Sequence, residues 1–371
     1  MTIAVLGAGM VGRAIAMDLV HDHAVTSFDL DATSLEKLKQ DDPGIQTVAA
    51  DLSHFDEYPN WLEPFDIVVT AVPGFMGYKT LEAVINSGKN VVDISFFPED
   101  ALQLDKLAKQ KNVTAITDCG VAPGMSNFII GRYNEEMKIT SLECYVGGLP
   151  ASPQPPFFYK APFSPVDVIQ EYLRPARLVD NGVVVTKPAL SEQEIIYFDE
   201  VGELEAFNTD GLRSLIYTMN HIPDMKEKTL RYPGHADLII AMKQAGFFDT
   251  APLRIEEIDI SPLDFTSKLL LNQWKLNDSE EEFTVMRVTI RSKNKTIEYN
   301  LFDRYDKATN TSSMARTTGY TCTAAVNLIA KKMFQEKGVF PPELVGKDNA
   351  CFEFVVDYLK RRNVVWKKSG S

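Results

Sequence analysis

The stretch Ile3-Ala4-Val5-Leu6-Gly7-Ala8-Gly9-Met10-Val11-Gly12 places four apolar residues directly before a G-x-G-x-x-G turn. A helix-like stretch follows, and then a second apolar run, Ala24–Phe28, which ends in Asp29. Strand, glycines, helix, strand and acid in this order form the dinucleotide-binding fingerprint in the context that it requires. The sequence therefore predicts that the chain begins with a Rossmann unit.

Each position of the glycine turn has its own predicted role toward a dinucleotide. Gly7 allows the tight turn out of the strand, Gly9 lets the backbone approach a pyrophosphate, and Gly12 lets the helix pack against the strand. Met10 and Val11 lie at the start of that helix, where free N–H groups and the positive end of the dipole favour phosphate.

The acid after the second strand predicts which dinucleotide is bound. A carboxylate at Asp29 would accept hydrogen bonds from the adenosine ribose and repel a 2′-phosphate, which favours NAD. Arg13 lies beside the turn and could instead reach a phosphate, so NADP stays an alternative. Further cofactor contacts are predicted beyond the carboxyl ends of later strands, at Asp51, Val72, Pro73, Asp93 and Val121.

Length and composition limit the class of protein. A chain of 371 residues is long enough for two domains. Its net charge of −13 argues against nucleic acid or an anionic membrane surface as a partner, because both require concentrated positive charge. The four cysteines are widely spaced and neither they nor the histidines have metal-ligand spacing, so no metal site is predicted. A reducing, cytoplasmic location is expected.

Alternating apolar runs and helix-like segments predict a doubly wound parallel sheet in the first domain. Six strands are expected, at Ile3–Leu6, Ala24–Phe28, Ile45–Ala49, Ile67–Ala71, Val91–Ile94 and Val113–Ile116. We predict an NAD-binding Rossmann domain over residues 1–127, completed by C-terminal helices within residues 318–371.

The pattern of polar and apolar residues changes after Ile139, where strand-like stretches alternate in polarity. A second α+β domain with a mixed or antiparallel sheet is predicted over residues 128–317, for substrate binding and dimerisation, so a homodimer is expected. Its predicted strands are Ser141–Val146, Phe283–Arg291, Thr296–Phe302 and Ser312–Thr317. Its predicted helices are Pro165–Leu173, Gly211–Met219, Ala236–Ala245 and Pro262–Trp274.

Four segments carry residue types suited to catalysis or substrate binding. Asp118-Cys119-Gly120-Val121 begins an irregular loop that either contacts nicotinamide or only joins two domains. Lys160 lies in the stretch Phe157–Pro165, rich in proline and aromatic residues, and is either a base of lowered pKa or a surface lysine. In Asn208–Arg213, Asp210 is expected to cap a helix carrying Arg213. His235 starts a helix, where it is either a proton acceptor or a cap.

These segments together resemble the saccharopine dehydrogenase-like family, and within it the L-lysine 6-dehydrogenases. The resemblance is carried, in order, by Gly7–Gly12, Asp118–Asn127, Gly147–Pro150, Glu205–Arg213, Lys228–His235 and Met314–Tyr320. It implies hydride transfer to a nicotinamide from a carbon that bears nitrogen, with a small amino acid as substrate.

The resemblance also implies roles for particular residues. His235 or Lys160 would be the base that frees the amine, Arg213 or Arg231 would clamp the α-carboxylate, and Asp118 would anchor an ammonium group. Asp93 and Thr209 are further substrate-binding candidates. Two alternatives stay open: a saccharopine dehydrogenase or reductase that uses NAD(P), and a dinucleotide-binding protein without catalytic activity.

Overall fold

The computed structural model describes residues 1–162, 164–277 and 280–370. Phe163, which belongs to the proline-rich and aromatic stretch, and Ser371, at the end of the predicted C-terminal segment, lie outside the described residues. The chain forms two compact units. Unit 1 comprises Met1–Ile139, Arg213–Asn220 and Met314–Trp366, and unit 2 comprises Thr140–Leu212, His221–Ser313 and Lys367–Ser371.

Unit 1 is built on a seven-stranded sheet whose neighbouring strands pair in parallel. Its strands are β1 (Thr2–Leu6), β2 (Ala24–Asp29), β3 (Gln46–Ala49), β4 (Ile67–Thr70), β5 (Asn90–Asp93), β6 (Thr114–Ile116) and β17 (Gly338–Phe340). The spatial order β17-β6-β5-β4-β1-β2-β3 reverses direction at β1, which is the doubly wound arrangement. The predicted fold class of this unit is confirmed.

Helices cover this sheet and bury its apolar strands. They are α1 (Met10–Leu19), α2 (Ala32–Asp41), α3 (Tyr58–Leu62), α4 (Gly74–Asn86), α5 (Asp105–Gln110), α6 (Met125–Asn134), α8 (Leu215–Thr218), α11 (Ser313–Ala330), α12 (Pro342–Gly346) and α13 (Asn349–Arg361). Short 3-10 helices lie at Phe55–Glu57 and Ala101–Leu104. The strands read as continuous apolar runs because such a sheet is buried on both faces.

Unit 2 is built on a nine-stranded mixed sheet, as predicted for the second domain. Its strands are β7 (Ile139–Pro150), β8 (Ala176–Asp180), β9 (Val183–Lys187), β10 (Glu194–Phe198), β11 (Gly202–Asn208), β12 (Asp224–Arg231), β15 (Glu282–Ser292), β16 (Thr296–Arg304) and β18 (Trp366–Gly370). A separate two-stranded sheet contains β13 (Leu253–Ile255) and β14 (Ile258–Ile260). The helices are α7 (Pro165–Leu173), α9 (His235–Gln244) and α10 (Pro262–Trp274).

Two predictions about individual elements are wrong. Ser312–Thr317, expected as a strand from its alternating polarity, lies mostly in helix α11, because the packing that buries this helix involves residues outside so short a stretch. Gly211–Met219, expected as a helix, is helical only over Leu215–Thr218. Strand β17, which has three residues, was not predicted, and neither were β10, β11, β13, β14 and β18 in unit 2.

The compact units differ from the predicted domain boundaries at four places, one of which is residues 314–317, which belong to unit 1. Helix α6 lies in unit 1 because it packs closely on α12: a Cβ at Gly131 would come within 2.1 Å of the Glu343 carbonyl oxygen. The short segment Arg213–Asn220 also belongs to unit 1, and Lys367–Ser371 belongs to unit 2. Over the described residues, the helices are all too short or too polar to cross a lipid bilayer.

Candidate cofactor and substrate sites

Two of the three glycines in the turn after β1 are required by the backbone itself. Gly7 has φ +112°, and a Cβ there would lie 2.3 Å from the carbonyl oxygen of Ala71. A Cβ at Gly12 would lie 2.0 Å from the carbonyl oxygen of Gly7. Since backbone atoms cannot yield by such distances, helix α1 packs against the turn only with glycine at both positions.

Gly9 differs, because no atom of the described residues lies within 4 Å of the position that its Cβ would take. Its φ of −66° is open to any L-residue, so packing does not require glycine here. Gly9 is the N-cap of α1, and the first turn of this helix holds no acidic residue. Among residues 1–162, 164–277 and 280–370, no side chain caps this end of the helix. An open approach to an uncapped helix N-terminus fits a pyrophosphate, so the residues present fit a dinucleotide.

Met10 and Val11 form the first turn of α1, as predicted, with the Met10 side chain exposed. Asp29 lies beside this turn and holds it: its carboxylate accepts from Ala8 N at 2.6 Å and from Asp31 N at 2.9 Å. A carboxylate fixed at the end of β2 in this way opposes a 2′-phosphate by charge.

Arg13, the residue that could favour NADP, is paired within unit 1. Its Nε lies 2.6 Å from Asp41 Oδ2. Asp51 is also engaged locally, because its Oδ1 accepts from the Ser53 hydroxyl at 2.7 Å and from Ser53 N at 2.9 Å, and these bonds lower the pKa of Asp51. The pairing of Arg13 favours the NAD interpretation.

The remaining predicted cofactor contacts lie beyond the carboxyl ends of β4, β5 and β6. Val72 is buried and Pro73 is the N-cap residue of α4. Val121 is buried in the turn before α6. In a doubly wound sheet this is the edge at which ligands bind.

Asp93 is the most unusual polar group at this edge. Its carboxyl is fully buried, and Oδ1 accepts from the Thr70 hydroxyl at 2.5 Å and from Ser95 N at 3.2 Å. Within the described chain, Oδ2 has no hydrogen-bond partner. Burial, together with the nearby Asp118 charge, raises the pKa of Asp93 to about 7.

The structure joins two predicted substrate ligands to each other. Arg213 Nη2 lies 2.9 Å from Asp118 Oδ1, its Nε lies 3.2 Å from the same oxygen, and its Nη1 donates to the Phe97 carbonyl. Both side chains are buried. Because a buried arginine is stable only with such partners, the pair neutralises the charges that Arg213 and Asp118 were expected to offer to a substrate.

The local prediction around Arg213 needs correction. Arg213 has φ +52° and precedes α8, so it does not lie on a helix capped by Asp210. Asp210 instead binds Arg177, with Nε 2.8 Å from Oδ1 and Nη2 2.8 Å from Oδ2. A turn-forming Asp followed by Gly suggested a cap, but a carboxylate with a guanidinium within reach forms the stronger, bidentate contact.

In unit 2, His235 and Arg231 are brought together through Tyr172. The Tyr172 oxygen lies 3.0 Å from His235 Nε2 and 2.9 Å from Arg231 Nε, while His235 Nδ1 lies 2.9 Å from the Phe157 carbonyl oxygen. Since a carbonyl only accepts, Nδ1 carries the proton; Nε2 then accepts from the Tyr172 hydroxyl, which in turn accepts from Arg231. Every bond of this relay has a defined direction.

The relay lies inside an aromatic cluster. His235 is 1% exposed, and Tyr159 and Trp274 pack around it with ring centroids 5.2 and 6.1 Å away. Burial, with the nearby Arg231 charge, lowers the pKa of His235 to about 3. Both ring nitrogens are bonded and the ring is shielded from solvent, which suits a positioning residue better than a base.

Two carboxylates that were not among the predicted site residues bind groups of this cluster. Glu205 accepts from Gly234 N at 3.0 Å and from Ala236 N at 2.5 Å, and so caps α9 in place of the expected histidine. Glu171 lies 3.6 Å from Arg231 Nη2, and burial raises its pKa to about 7. Their only sequence signal is a charged residue within an otherwise apolar pattern.

Thr209 and Lys160 lie in different settings of unit 2. The Thr209 hydroxyl donates to Glu227 Oε2 at 2.8 Å, and burial raises the pKa of Glu227 to about 8. Lys160 Nζ donates to the Lys275 carbonyl at 3.3 Å, lies 3.7 Å from Glu280 Oε1 and is partly exposed. Lys160 is thus the more accessible of the two base candidates.

The buried imidazole makes stability depend on pH. Unfolded chains take up a proton on His235 near pH 6.5, whereas the folded protein resists it down to about pH 3, so stability falls as pH falls through this window. Between pH 7 and 5 we expect wild type to lose about 2 kcal/mol more unfolding free energy than His235→Gln. Urea titrations measure this, with exposed His21→Gln as the control; parallel curves for wild type and His235→Gln would contradict the assignment.

The sequence and the structure were compared with those of known proteins, and both are similar to saccharopine dehydrogenases. Residues 3–116 match the model of the saccharopine dehydrogenase NADP binding domain, and residues 120–364 match that of the saccharopine dehydrogenase C-terminal domain. The structure is similar to an apo saccharopine dehydrogenase (L-Glu forming) from Saccharomyces cerevisiae, with a TM-score of 0.79 over 100% of this chain and 99% of that chain, at 17% identity. This likeness shows the fold.

Curated relatives are similar over part of their length. A saccharopine dehydrogenase [NADP(+), L-glutamate-forming] from Pyricularia oryzae is 25% identical over 261 residues, which are 66% of this chain and 58% of that protein. An alpha-aminoadipic semialdehyde synthase from Arabidopsis thaliana is 23% identical over 221 residues, 56% of this chain. The chain spans 21% of the length of that synthase.

Proposed function

Because the chain belongs to the saccharopine dehydrogenase family, we propose that it is an NAD-dependent oxidoreductase that acts on a CH–NH2 or CH–NH group of an amino acid. The substrate that we propose first is L-lysine, oxidised at C6 to the semialdehyde or its cyclic imine. The proposed binding of a dinucleotide rests on one observation, the open approach at Gly9 to the uncapped N-terminus of α1. Membership of the saccharopine dehydrogenase family supports the proposed oxidation of an amino acid at a carbon that bears nitrogen.

The cofactor, when bound, supplies the hydride acceptor. The chain itself positions it: Gly9, Met10 and Val11 present backbone N–H groups to the pyrophosphate, and Asp29 binds the adenosine ribose. Asp51, Val72, Pro73 and Val121 are proposed to line the rest of the cofactor along the carboxyl edge of the sheet.

The proton of the substrate amine needs an acceptor. We assign this role to Lys160, because its side chain is partly exposed and its contacts to the Lys275 carbonyl and to Glu280 are long, at 3.3 and 3.7 Å, whereas both nitrogens of the buried His235 form shorter bonds inside the protein. His235 and Arg231 then act as positioning residues that hold the Tyr172 hydroxyl. Asp93 has a buried carboxyl oxygen without a hydrogen-bond partner among the described residues, and it is the candidate for holding a substrate ammonium group. Thr209 is proposed to bind substrate together with Glu227, to which its hydroxyl donates.

A matrix of cofactors and substrates tests the proposal. NAD and NADP are each offered with lysine, with saccharopine, and in reduced form with the semialdehyde plus glutamate, while absorbance of the reduced cofactor is followed. NADH formation with lysine alone supports the first proposal. Turnover of saccharopine supports the second candidate, a saccharopine dehydrogenase, which the similarity to the Pyricularia oryzae protein favours. Failure of all pairs would favour a non-catalytic dinucleotide-binding protein.

The preference for NAD is tested by removing charge next to the ribose. Asp29→Asn keeps the acceptor for Ala8 N but removes the carboxylate, so we expect the NADPH to NADH affinity ratio to rise about 10-fold. Adding Asp41→Asn frees Arg13 from its partner and is expected to raise the ratio further. Fluorescence titration of each reduced cofactor measures both, with exposed Asp56→Asn as the control; an unchanged ratio in the double variant argues against these residues as the selectors.

A further inference from the structure

Three polar side chains meet on the face of the mixed sheet that also carries Arg231. Glu227 and Thr229 are two residues apart on β12, so their side chains point to the same face of the sheet. The Thr209 hydroxyl joins them, because its oxygen lies 2.8 Å from Glu227 Oε2 and 2.8 Å from the hydroxyl oxygen of Thr229. Glu227, Thr209 and Thr229 are here called the β12 oxygen cluster, and each of them is at most 7% exposed.

The lysines beside Glu227 on β12 do not neutralise its charge. Lys226 and Lys228 point to the opposite face of the sheet, since they are one position away from Glu227 along the strand. Their Nζ atoms lie 3.0 Å from Glu143 and 2.7 Å from Glu194. Both lysines therefore pair with other carboxylates.

Two arginines of unit 2 are engaged elsewhere as well. Arg231 Nη2 lies 3.6 Å from Glu171 Oε2, and Arg177 binds Asp210 through two of its nitrogen atoms. In the part of the chain that the structure describes, Glu227 belongs to no ion pair. The protein thus buries this carboxyl without giving it a cation.

The groups that face Glu227 from neighbouring elements are acidic or neutral. Burial, with the charges of Glu171 on α7 and Asp210 after β11, raises the pKa of Glu227 to about 8. Cys144, its register partner on β7, adds no charge at neutral pH, because burial raises the pKa of its thiol well above the usual range. Glu227 is therefore mostly protonated at pH 7, and a cation in contact with it would favour its ionised form.

The β12 oxygen cluster has the composition that a primary ammonium group requires. Glu227 offers a carboxylate, and Thr209 and Thr229 each offer a hydroxyl oxygen that can accept. Three oxygens joined by contacts of 2.8 Å match the three N–H donors of such a group, and the carboxylate matches its charge.

We propose that the β12 oxygen cluster binds the primary ammonium group of the amino-acid substrate that does not react, which in lysine is the α-ammonium. This inference rests on the proposed function, because it concerns how that substrate is held. An amine must lose its proton before its carbon gives up hydride, whereas an adjacent carboxylate keeps an amine protonated. The cluster therefore suits the ammonium group that stays charged throughout the reaction.

Calorimetric titration of the full chain with L-lysine and with 6-aminohexanoate, which lacks the α-amino group, tests the proposal. Wild type is expected to bind lysine at least about 30-fold more tightly than 6-aminohexanoate. Glu227→Gln keeps the shape of the side chain and removes its charge, so this preference is expected to fall below about 3-fold. Exposed Glu203→Gln on β11 is the control and is expected to keep it. The titrations are made with and without NADH, which cannot accept hydride from lysine.

Proton release distinguishes an ammonium site from a carboxyl with only a structural role. Because bound ammonium favours ionised Glu227, wild type is expected to release about one proton per lysine bound at pH 7, and Glu227→Gln none from this group. Binding heats in buffers of different ionisation enthalpy give this number. Thr209→Val is expected to weaken lysine binding about 10-fold, and Thr209→Ser to restore it.

The outcomes separate the ammonium site from the proposed activity. An unchanged preference in Glu227→Gln overturns the ammonium site, as does lysine binding without proton release or an absence of lysine binding. If lysine is oxidised while the preference is unchanged, the proposed activity stands and only the ammonium site falls. Lysine that binds with the expected preference but is never oxidised gives the reverse result. Should Glu227→Gln fail to fold, proton release by wild type and the two Thr209 variants decide.

Discussion

A Gly9→Val variant is expected to fold like wild type and to bind NADH at least about 100-fold more weakly, a loss of about 2.7 kcal/mol. The fold tolerates the change because a Cβ at Gly9 would meet no atom within 4 Å in the part of the chain that the structure describes, and the backbone there has φ −66°. Binding does not tolerate it, because the added methyl groups fill the approach to the first turn of α1. Charge-assisted bonds to a pyrophosphate are then lost. Fluorescence titration with NADH and a thermal melt on the same sample measure the two effects.

The matched comparison is Gly12→Ala, three residues along the chain. Its Cβ would lie 2.0 Å from the Gly7 carbonyl oxygen, so this variant is expected to lose thermal stability together with binding. The contrast between the two glycines separates a ligand-binding role from a packing role. Normal NADH affinity in Gly9→Val would show that the turn does not hold the pyrophosphate.

Asp18→Ala is expected to lower the free energy of unfolding by about 3 kcal/mol. Asp18, on α1, is buried and accepts from Thr323 Oγ1 at 2.5 Å, from the Tyr358 hydroxyl at 2.7 Å and from Arg362 Nε at 2.6 Å. Burial, together with the Asp18 charge, raises the pKa of Tyr358 so far that its hydroxyl stays a donor. Alanine leaves these three donors without their acceptor, which costs more than the bonds themselves contribute.

Urea denaturation of the full chain, followed by circular dichroism, measures this loss of unfolding free energy. Asp22→Ala, four residues further along the chain and exposed, is the control and is expected to stay within about 0.5 kcal/mol of wild type. Asp18→Asn keeps one acceptor oxygen and is expected to fall between the two. A loss below about 1 kcal/mol for Asp18→Ala would mean that α1 and the C-terminal helices are held mainly by apolar packing.

The parts of the molecule that could be predicted are those specified by neighbours in sequence. The turn Gly7–Gly12 and the strand that ends in Asp29 are recognisable from the types and spacing of neighbouring residues. The Rossmann unit and its dinucleotide site could therefore be predicted from a short stretch of sequence. The second sheet was predicted from alternating polarity, which reports one buried face. The start of helix α11 was misassigned because the short stretch Ser312–Thr317 was interpreted as alternating in polarity, and a window of six residues does not distinguish a strand from the first turns of a helix.

The substrate half was less predictable because its contacts join distant residues. Arg213 and Asp118 are 95 residues apart, and Tyr172 and His235 are 63 apart. Each residue was singled out by its chemistry, but the sequence does not state which partner it has. For Arg213 the partner reverses the interpretation, since a guanidinium bonded to Asp118 is not free for a substrate carboxylate.

The strand β17 has a consequence for how the protein is made. It pairs with β6, and the contact between Thr114 and Glu336 beside this pairing spans 222 residues. During synthesis β6 therefore leaves the ribosome before its partner strand exists. One edge of β6 stays unpaired until more than half of the chain has been added. Parallel pairing over such a separation is slow, and an open edge in the meantime favours association with other chains. We expect the nascent chain to need chaperones most during this interval, between the appearance of β6 and the arrival of β17.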